Sequence, residues 1–436
     1  MNLDANGEGL RNVWSLTRLG ELGELVRGVS YAPEDCLDKA TSGYVPILRA
    51  TNIQDKALNL ESELAYVKAQ RVTDRQYLQV GDVAIAMSSG SKSVVGKAAQ
   101  LTRPWYGSFG TFCAAFRPDR TRTDLTFISS VFQTATFRRH IVQQARGTNI
   151  NNLSKEHILG YEFSLPPLPE QRVIARVLRA VQAAREARQR EVSLERERKA
   201  ALMAHLFTHG TRGEPTKQTP MGEIPKSWEV TTIGEIAEFL QYGTSRECTT
   251  EPIGVPVLRI PNVIGGKVDT GDLKYLELQG DEADRLRLAV GDILFVRTNG
   301  RREYTGRCAV FMGEPEEASF ASYLIRARLK PDTLLPRFAQ FYATTPRGSS
   351  YLAGRASNAA DGKFNINTQT INSVLVPQPS LDEQSEIVGA ISACDAKIAA
   401  LERESALLDE LFRALLEELM TGRMSVAGVL DHEVAK

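Results

Sequence analysis

Two kinds of hydrophobic pattern alternate along the chain. Over residues 14–165, and again over 228–378, short runs of β-branched and aromatic residues are broken by Gly, Pro, Asn and Asp. That pattern predicts the strands, turns and short helices of a compact α/β or α+β domain. Each such region ends in a proline-rich stop followed by Glu-Gln, and there the period changes. No Pro or Gly occurs from 170 to 207, and Gly389 alone interrupts 383 to 419, so both stretches predict long helices. In the second, Ile387, Ile391, Cys394, Ile398, Leu401, Leu408, Phe412, Leu415 and Leu419 step by four and three, with Ser405 in the one polar slot. That spacing is a heptad seam. The matching positions of the first helix are apolar at its ends (Ile174, Leu178, Val181; Leu202, Leu206) and polar between them (Arg185, Arg188, Glu195, Lys199 around Val192), which makes a weaker seam.

The two-part pattern occurs twice because the sequence itself is duplicated. Trp14-Ser-Leu-Thr-Arg-Leu-Gly-Glu-Leu22 returns as Trp228-Glu-Val-Thr-Thr-Ile-Gly-Glu-Ile236, and Val45-Pro-Ile-Leu-Arg-Ala-Thr-Asn-Ile53 as Val255-Pro-Val-Leu-Arg-Ile-Pro-Asn-Val263. Leu78-Gln-Val-Gly-Asp82 returns as Leu288-Ala-Val-Gly-Asp292, and Pro166-Pro-Leu-Pro-Glu-Gln171 as Pro379-Ser-Leu-Asp-Glu-Gln384. The offsets of these repeats run from 210 to 214 positions, about half of the 436 residues, so this is a pair of related domains and not a solenoid. The expected boundaries are a first domain at 1–165, a first helix at 166–210, a second domain at 211–378, a second helix at 379–423 and a tail at 424–436.

Charge adds a reason for the helices to meet. Residues 170–207 carry nine basic and five acidic side chains, whereas 383–419 carry three basic and nine acidic, so the two helices attract. The first helix ends where the second domain begins and the second starts where that domain ends, which predicts an antiparallel pair. At 1.5 Å per residue each would be a rod of roughly 57 Å, giving a pseudo-twofold arrangement with a domain toward each end.

Composition narrows the function classes. Lys plus Arg and Asp plus Glu both number 53, which removes the overall basic excess of a nonspecific nucleic-acid coat protein; polyanion binding would have to be local. The five cysteines stand singly, with no disulfide framework and no cysteine-rich zinc pattern, as suits a reducing cytoplasm. No apolar leader and no run of ~18 apolar residues is present, so neither a cleaved signal nor a membrane span is expected.

Taken together, Leu165-Pro-Pro-Leu-Pro-Glu-Gln-Arg-Val-Ile-Ala175 leading into a long helix, the Gly222-Glu-Ile-Pro-Lys-Ser-Trp-Glu229 opening of the second copy, the Gly-Asp turns at Gly81-Asp82 and Gly291-Asp292, and the Leu-Met-Thr-Gly-Arg423 ending resemble the specificity (S) subunits of type I restriction-modification systems. The resemblance spans nearly the whole chain. It implies two target-recognition domains, each reading one half of a bipartite duplex DNA site. It also implies a helical spacer that docks two methyltransferase (modification) subunits, and restriction subunits in a larger complex. Half-sites about one DNA turn apart, ~34–36 Å, fit a spacer of that length class. Similar frameworks with dissimilar loops predict half-sites of different sequence.

Base readout needs Arg or Lys for guanine, Asn or Gln for adenine, and hydroxyls for either. The loops after the Gly-Asp strands supply these: Ser88, Ser89, Lys92 and Lys97 in the first copy, and Asn299, Arg301, Arg302, Tyr304 and Arg307 in the second. Contact with phosphate alone stays open for each. The recurring Arg49/Asn52 and Arg259/Asn262 pairs read as a turn network, Asn149 to Asn151 and Lys363 to Asn367 as phosphate ligands or caps, and Trp14 and Trp228 as framework anchors.

Enzymatic patterns fail on spacing. Gly90 to Gly96-Lys97 has five residues between its glycines where a phosphate-binding loop has four, and Ala98 stands where Ser or Thr is needed. His205 and His209 lack the Glu and the third ligand of a zinc protease. Asp119 and Glu197 to Lys199 are too far apart in sequence to read as a nuclease site, and the Asn-Pro-Pro-Tyr type of motif is missing. A noncatalytic subunit without cofactor or metal is therefore expected; a coiled-coil scaffold that never touches DNA is the alternative, and an enzyme in its own right the third.

Overall fold

The computed structural model describes residues 14–54, 57–91, 94–144, 151–359 and 362–426. They form two units, one from residues up to Arg188 together with those from Glu404 onward, the other Gln189–Arg403. In each, the strand-rich part of the sequence folds on a mostly antiparallel sheet, the α+β alternative, and each also takes half of the two long helices.

The central sheet of the first unit has four strands in the order Gly23–Arg27, Cys113–Pro118, Val83–Ala86, Ala98–Gln100. That of the second repeats it with Ala237–Tyr242, Leu324–Leu329, Ile293–Val296, Cys308–Val310. Register repeats as well, Ala114 facing Ile85 in one and Ile325 facing Phe295 in the other. The strands Val83–Ala86 and Ile293–Val296 are buried at every position, so they read as continuous apolar runs, not alternating ones. Helices Leu125–Val131 and Ala135–Gln144, or Pro336–Thr344 and Pro346–Gly354, cover one face, and the same apolar cluster takes in the ends of the long helices. A second sheet in each unit joins a Val-Pro strand, Tyr44–Leu48 or Val255–Leu258, in parallel to Ser108–Phe109 or Ser319–Phe320.

The Gly-Asp turns explain themselves once folded. Gly81 and Gly291 have φ of 101° and 96°, a region where a β-carbon is strained. The aspartate that follows is buried and holds the turn to the neighbouring strand: Arg117 donates to Asp82 through Nε (3.0 Å) and Nη2 (2.7 Å). In the second copy Arg328 donates to Asp292 through the same atoms, both at 2.7 Å. Here Arg326 joins from the same strand, its Nη1 3.5 Å from Asp292. Burial pushes the Arg326 guanidinium below its ordinary value, with Asp292 pulling it back up, while hydrogen bonding to Asp292 raises Arg328.

The proline-Glu-Gln motif is a junction between domain and helix. Leu168–His209 and Leu381–Met420 are the long helices, beginning two residues before the proline-free runs. Glu170 Oε2 accepts from the Trp14 indole (3.1 Å), and Glu383 Oε2 from the Trp228 indole (2.9 Å), which bears out the anchoring role of both tryptophans. The neighbouring glutamines are buried and satisfied by backbone: Gln171 Oε1 accepts from Asp124 N–H and Gln384 Oε1 from Leu335 N–H, while their amides donate to the Pro166 and Pro379 carbonyls.

Within each unit the two long helices run antiparallel. In the first, Arg185 pairs with Asp409 and Arg188 with Glu404; in the second, Glu195 pairs with Lys397 (2.7 Å) and Lys199 with Asp395 (2.7 Å). The polar middle of the first helix is thus not a gap in the seam but a set of cross-helix ion pairs, and Lys397 holds the Glu195 carboxyl below its ordinary range. At the end of the second helix Leu416 is buried more deeply than the expected Leu415, because this turn packs beneath the first domain as well as against the partner helix.

Candidate nucleic-acid interface

The second-copy loop is built outward from the buried strand Ile293–Val296. After Arg297 the chain forms Thr298–Asn299, which pairs with Phe364–Asn365, itself paired with Ser357–Asn358. The stretch 363–367 and the candidate loop, flagged separately in the sequence, are therefore neighbours. Asn367 caps the helix Thr368–Asn372 by accepting from Thr370 N–H at 2.8 Å, which favours capping for that residue.

Beyond Asn299 the loop is a layer of guanidinium on aromatic. Asn299 Oδ1 accepts from Arg301 N–H (3.0 Å) and closes the turn. The Arg301 and Arg307 guanidiniums lie 5.7 Å and 4.2 Å from the centre of the Tyr304 ring. Arg302 lies 5.4 Å from that of Phe364 and donates to the Ala356 carbonyl. All three arginines are exposed, while Tyr304 and Asn299 are half-buried. Stacking on rings narrows the rotamers of the arginines without covering their outward N–H groups, a combination suited to phosphate oxygens or a guanine edge.

Sequence reasoning missed two members of this surface. Arg297 donates to the Ser322 carbonyl (3.2 Å) and lies over Tyr242 (4.8 Å), and exposed Arg355 stacks on Tyr351 at 3.6 Å. Arg297 sits inside the recurring Gly-Asp motif where the first copy has Met87. Its aromatic partner comes from a strand more than fifty residues earlier, a pairing that no local signal contains.

The first-copy loop has the same frame with different chemistry. Ser88–Ser89 pairs with Asn151–Asn152, so the backbone of Asn151 lies beside its candidate loop, while Asn149 and Ile150 are outside the described residues. Ser88, Ser89 and Lys97 are half-buried; the Lys97 carbonyl accepts from Ala86 N–H, and Lys92 lies outside the described residues. Hydroxyls and amides dominate where the second copy has arginines.

The paired Arg/Asn turns divide in two. Asn52 and Asn262 are buried in a turn network, as their spacing suggests: Oδ1 accepts from the Arg49 or Arg259 N–H at 2.8 and 2.9 Å, and Nδ2 donates to the Ser62 or to the Asp269 and Asp272 carbonyls. The Arg49 side chain instead points to the surface, toward Asp38 (3.5 Å), whereas Arg259 is half-buried and stays in the turn network, its Nη2 donating to the Asp272 carbonyl and carboxylate, both at 2.8 Å. His205 and His209 stand side by side, ring centres 4.9 Å apart, and no metal-holding group of His, Cys, Asp or Glu exists among the described residues. Among those residues no helix is long and apolar enough to cross a membrane.

Residues 12–196 and 225–410 each match the type I restriction modification DNA specificity domain, the duplication seen in the fold. The chain is 30% identical to the EcoKI type I restriction enzyme specificity subunit of Escherichia coli K12, over 94% of this chain and 89% of that one. It is 28% identical to the StySPI specificity subunit of Salmonella potsdam, over 96% and 94%. In fold it is similar to the type I restriction-modification S subunit from M. genitalium, with a TM-score of 0.56 and 15% identity over 95% of this chain and 98% of that chain. Two matches to that domain, which together cover most of the sequence, place this chain in the type I restriction-modification DNA specificity family.

Proposed function

We propose that this chain reads a bipartite duplex DNA target, one half-site per domain, and performs no chemistry itself. It directs two methyltransferase subunits to the site, with restriction subunits joining the larger complex. The observation that carries this reading is the duplicated loop: the same Gly-Asp strand in two copies of one fold leads to Ser88, Ser89, Lys92 and Lys97 in the first, and to Asn299, Arg301, Arg302, Tyr304 and Arg307 in the second. A common frame with different side chains is what two half-sites of different sequence require. The near-balanced net charge fits an assembly in which partner subunits supply part of the phosphate contact.

The second-copy arginines have different expected roles. Arg301 is exposed, with its outward N–H groups free to face a base, whereas Arg302 is tied to the Ala356 carbonyl and Phe364. Arg301→Ala in the assembled complex is expected to cost about 1–3 kcal/mol of discrimination at one base pair of the second half-site and to leave the first unchanged. Binding to duplexes mutated one position at a time measures this. Equal loss at both half-sites, in a protein that still folds, would show that the domains do not read independently.

A further inference from the structure

Next to each candidate loop lies a groove that the sequence did not reveal, and it too is present twice. In the first unit a cavity of about 740 Å³ is lined by Arg49, Ser88 and Phe112 among others; in the second, one of about 470 Å³ is lined by Arg259, Lys274 and Tyr323. Phe112 and Tyr323 are equivalent, 211 positions apart, each at the end of the turn between a strand of the second sheet and the middle strand of the first. They are among the most exposed large apolar side chains of their units, at 64% and 57%.

The backbone beneath these rings is fixed. The Phe112 carbonyl accepts from Met87 N–H (2.8 Å) and Ser88 N–H (3.2 Å), and the Tyr323 carbonyl from Arg297 N–H (2.9 Å), so each ring is held to the candidate loop of its own copy. Gly110 and Ala321, two residues before, donate to the Leu48 and Leu258 carbonyls, and the next residues, Cys113 and Leu324, are buried. A β-carbon at Gly28 would collide with the Gly110 carbonyl, and one at Gly243 with that of Phe320, so the same close crossing supports the turn in both copies. An aromatic ring thus stands exposed on a rigid support in the same place in both copies.

The chemistry of the groove selects its occupant. Guanidinium and hydroxyl groups line the walls of both grooves, joined by the Lys274 ammonium in the second, with Asp38 in the first and Glu247 in the second as carboxylates able to accept from a cytosine amino group. The ring faces of Phe112 and Tyr323 are apolar, with only the Tyr323 hydroxyl able to hydrogen-bond, and the one apolar feature on base edges in the major groove is the C5-methyl of thymine. We propose that Phe112 and Tyr323 are specificity-determining residues, each packed on a thymine methyl in its own half-site. The adjoining arginine, Arg49 or Arg259, would contact the neighbouring base pair or phosphate. This rests on the half-site reading above and extends it to residues outside the loops named there.

The test uses the chain assembled with its methyltransferase subunits. Selection from a pool of randomised duplexes gives the preferred target, and each thymine in it is then replaced by deoxyuridine, which lacks only the methyl. Wild type is expected to lose about fourfold in affinity at one thymine of each half-site, the effect of one buried methyl. F112A is expected to abolish the response in the first half-site and keep it in the second, and Y323A the reverse; the untouched half-site reports that the variant is folded. Responses that persist in the variants, or a wild-type target with no methyl-sensitive thymine, would overturn the assignment while leaving bipartite reading in place. Failure of wild type to enrich any split sequence would remove the half-site reading itself, and this inference with it.

Discussion

Replacing Asp292 with alanine is expected to destabilise the unit Gln189–Arg403 by about 3–5 kcal/mol. Asp292 is 1% exposed and its carboxylate is the shared anion for Arg328, which donates twice at 2.7 Å, and for Arg326, which is 2% exposed. It also accepts from Ala289 N–H, closing the turn that carries the strand leading to the candidate loop. Without it, the remaining partners of Arg326 are neutral: the Arg287 and Arg285 carbonyls, the Gln241 amide oxygen, and the faces of Phe239 and Phe320. A buried cation with no counter-charge is the expensive case, dearer than losing a surface ion pair of the same distance. In the first unit Asp82 serves the single Arg117, because Ala115 stands where the second copy has Arg326; Asp82→Ala is therefore expected to cost less. Urea unfolding of both variants, followed by probes in each unit, measures the difference. A loss below ~1 kcal/mol for Asp292→Ala would mean that water reaches the cluster and screens it.

Trp228→Ala is the second large effect, about 3–5 kcal/mol. The indole is fully buried, packs edge-on against Phe338 at 6.1 Å and donates to Glu383, so alanine leaves both a cavity and a carboxylate with one donor fewer. Thr211 N–H still donates to Glu383 at 2.7 Å, which limits the electrostatic part; Trp228→Phe, which keeps most of the volume and loses the N–H, is expected to cost about 1–3 kcal/mol. Trp14 is only half-buried and its Glu170 partner lies 3.1 Å away, so Trp14→Ala should be the milder variant. Desolvation already raises the Glu170 carboxyl, with the Trp14 hydrogen bond opposing it. Thermal melting of the three variants orders them; a Trp14 effect equal to that of Trp228 would contradict the burial difference between the two copies.

The two junctions also show what the sequence could convey. Duplication, the long helices and the heptad seam are periodic or repeated features, and these were legible, as were the tryptophan anchors and the buried Asn52 and Asn262 turns. The partners of Gln171 and Gln384 were not, since a buried amide gives the same letter as a solvated one. Nor was the use of Arg185, Arg188, Glu195 and Lys199: whether a charge in a seam is a defect or half of an ion pair depends on the register of the opposite helix. At the candidate interface the loops were singled out by residue type alone. The strands that flank them, Asn151–Asn152 and Phe364–Asn365, and the groove with Phe112 or Tyr323 depend on pairings across tens of residues. An exposed phenylalanine has the same letter in sequence as one in the core, so nothing local marks Phe112 as a surface residue.

Modified-base sequencing of DNA from cells that express the partner methyltransferase subunits, with and without this chain, tests the two-domain reader most directly. The expected result is adenine methylation at one split motif, its two halves different in sequence and about one helical turn apart, present only when the chain is present. Methylation that is unchanged by the chain, or confined to one continuous motif, would contradict it.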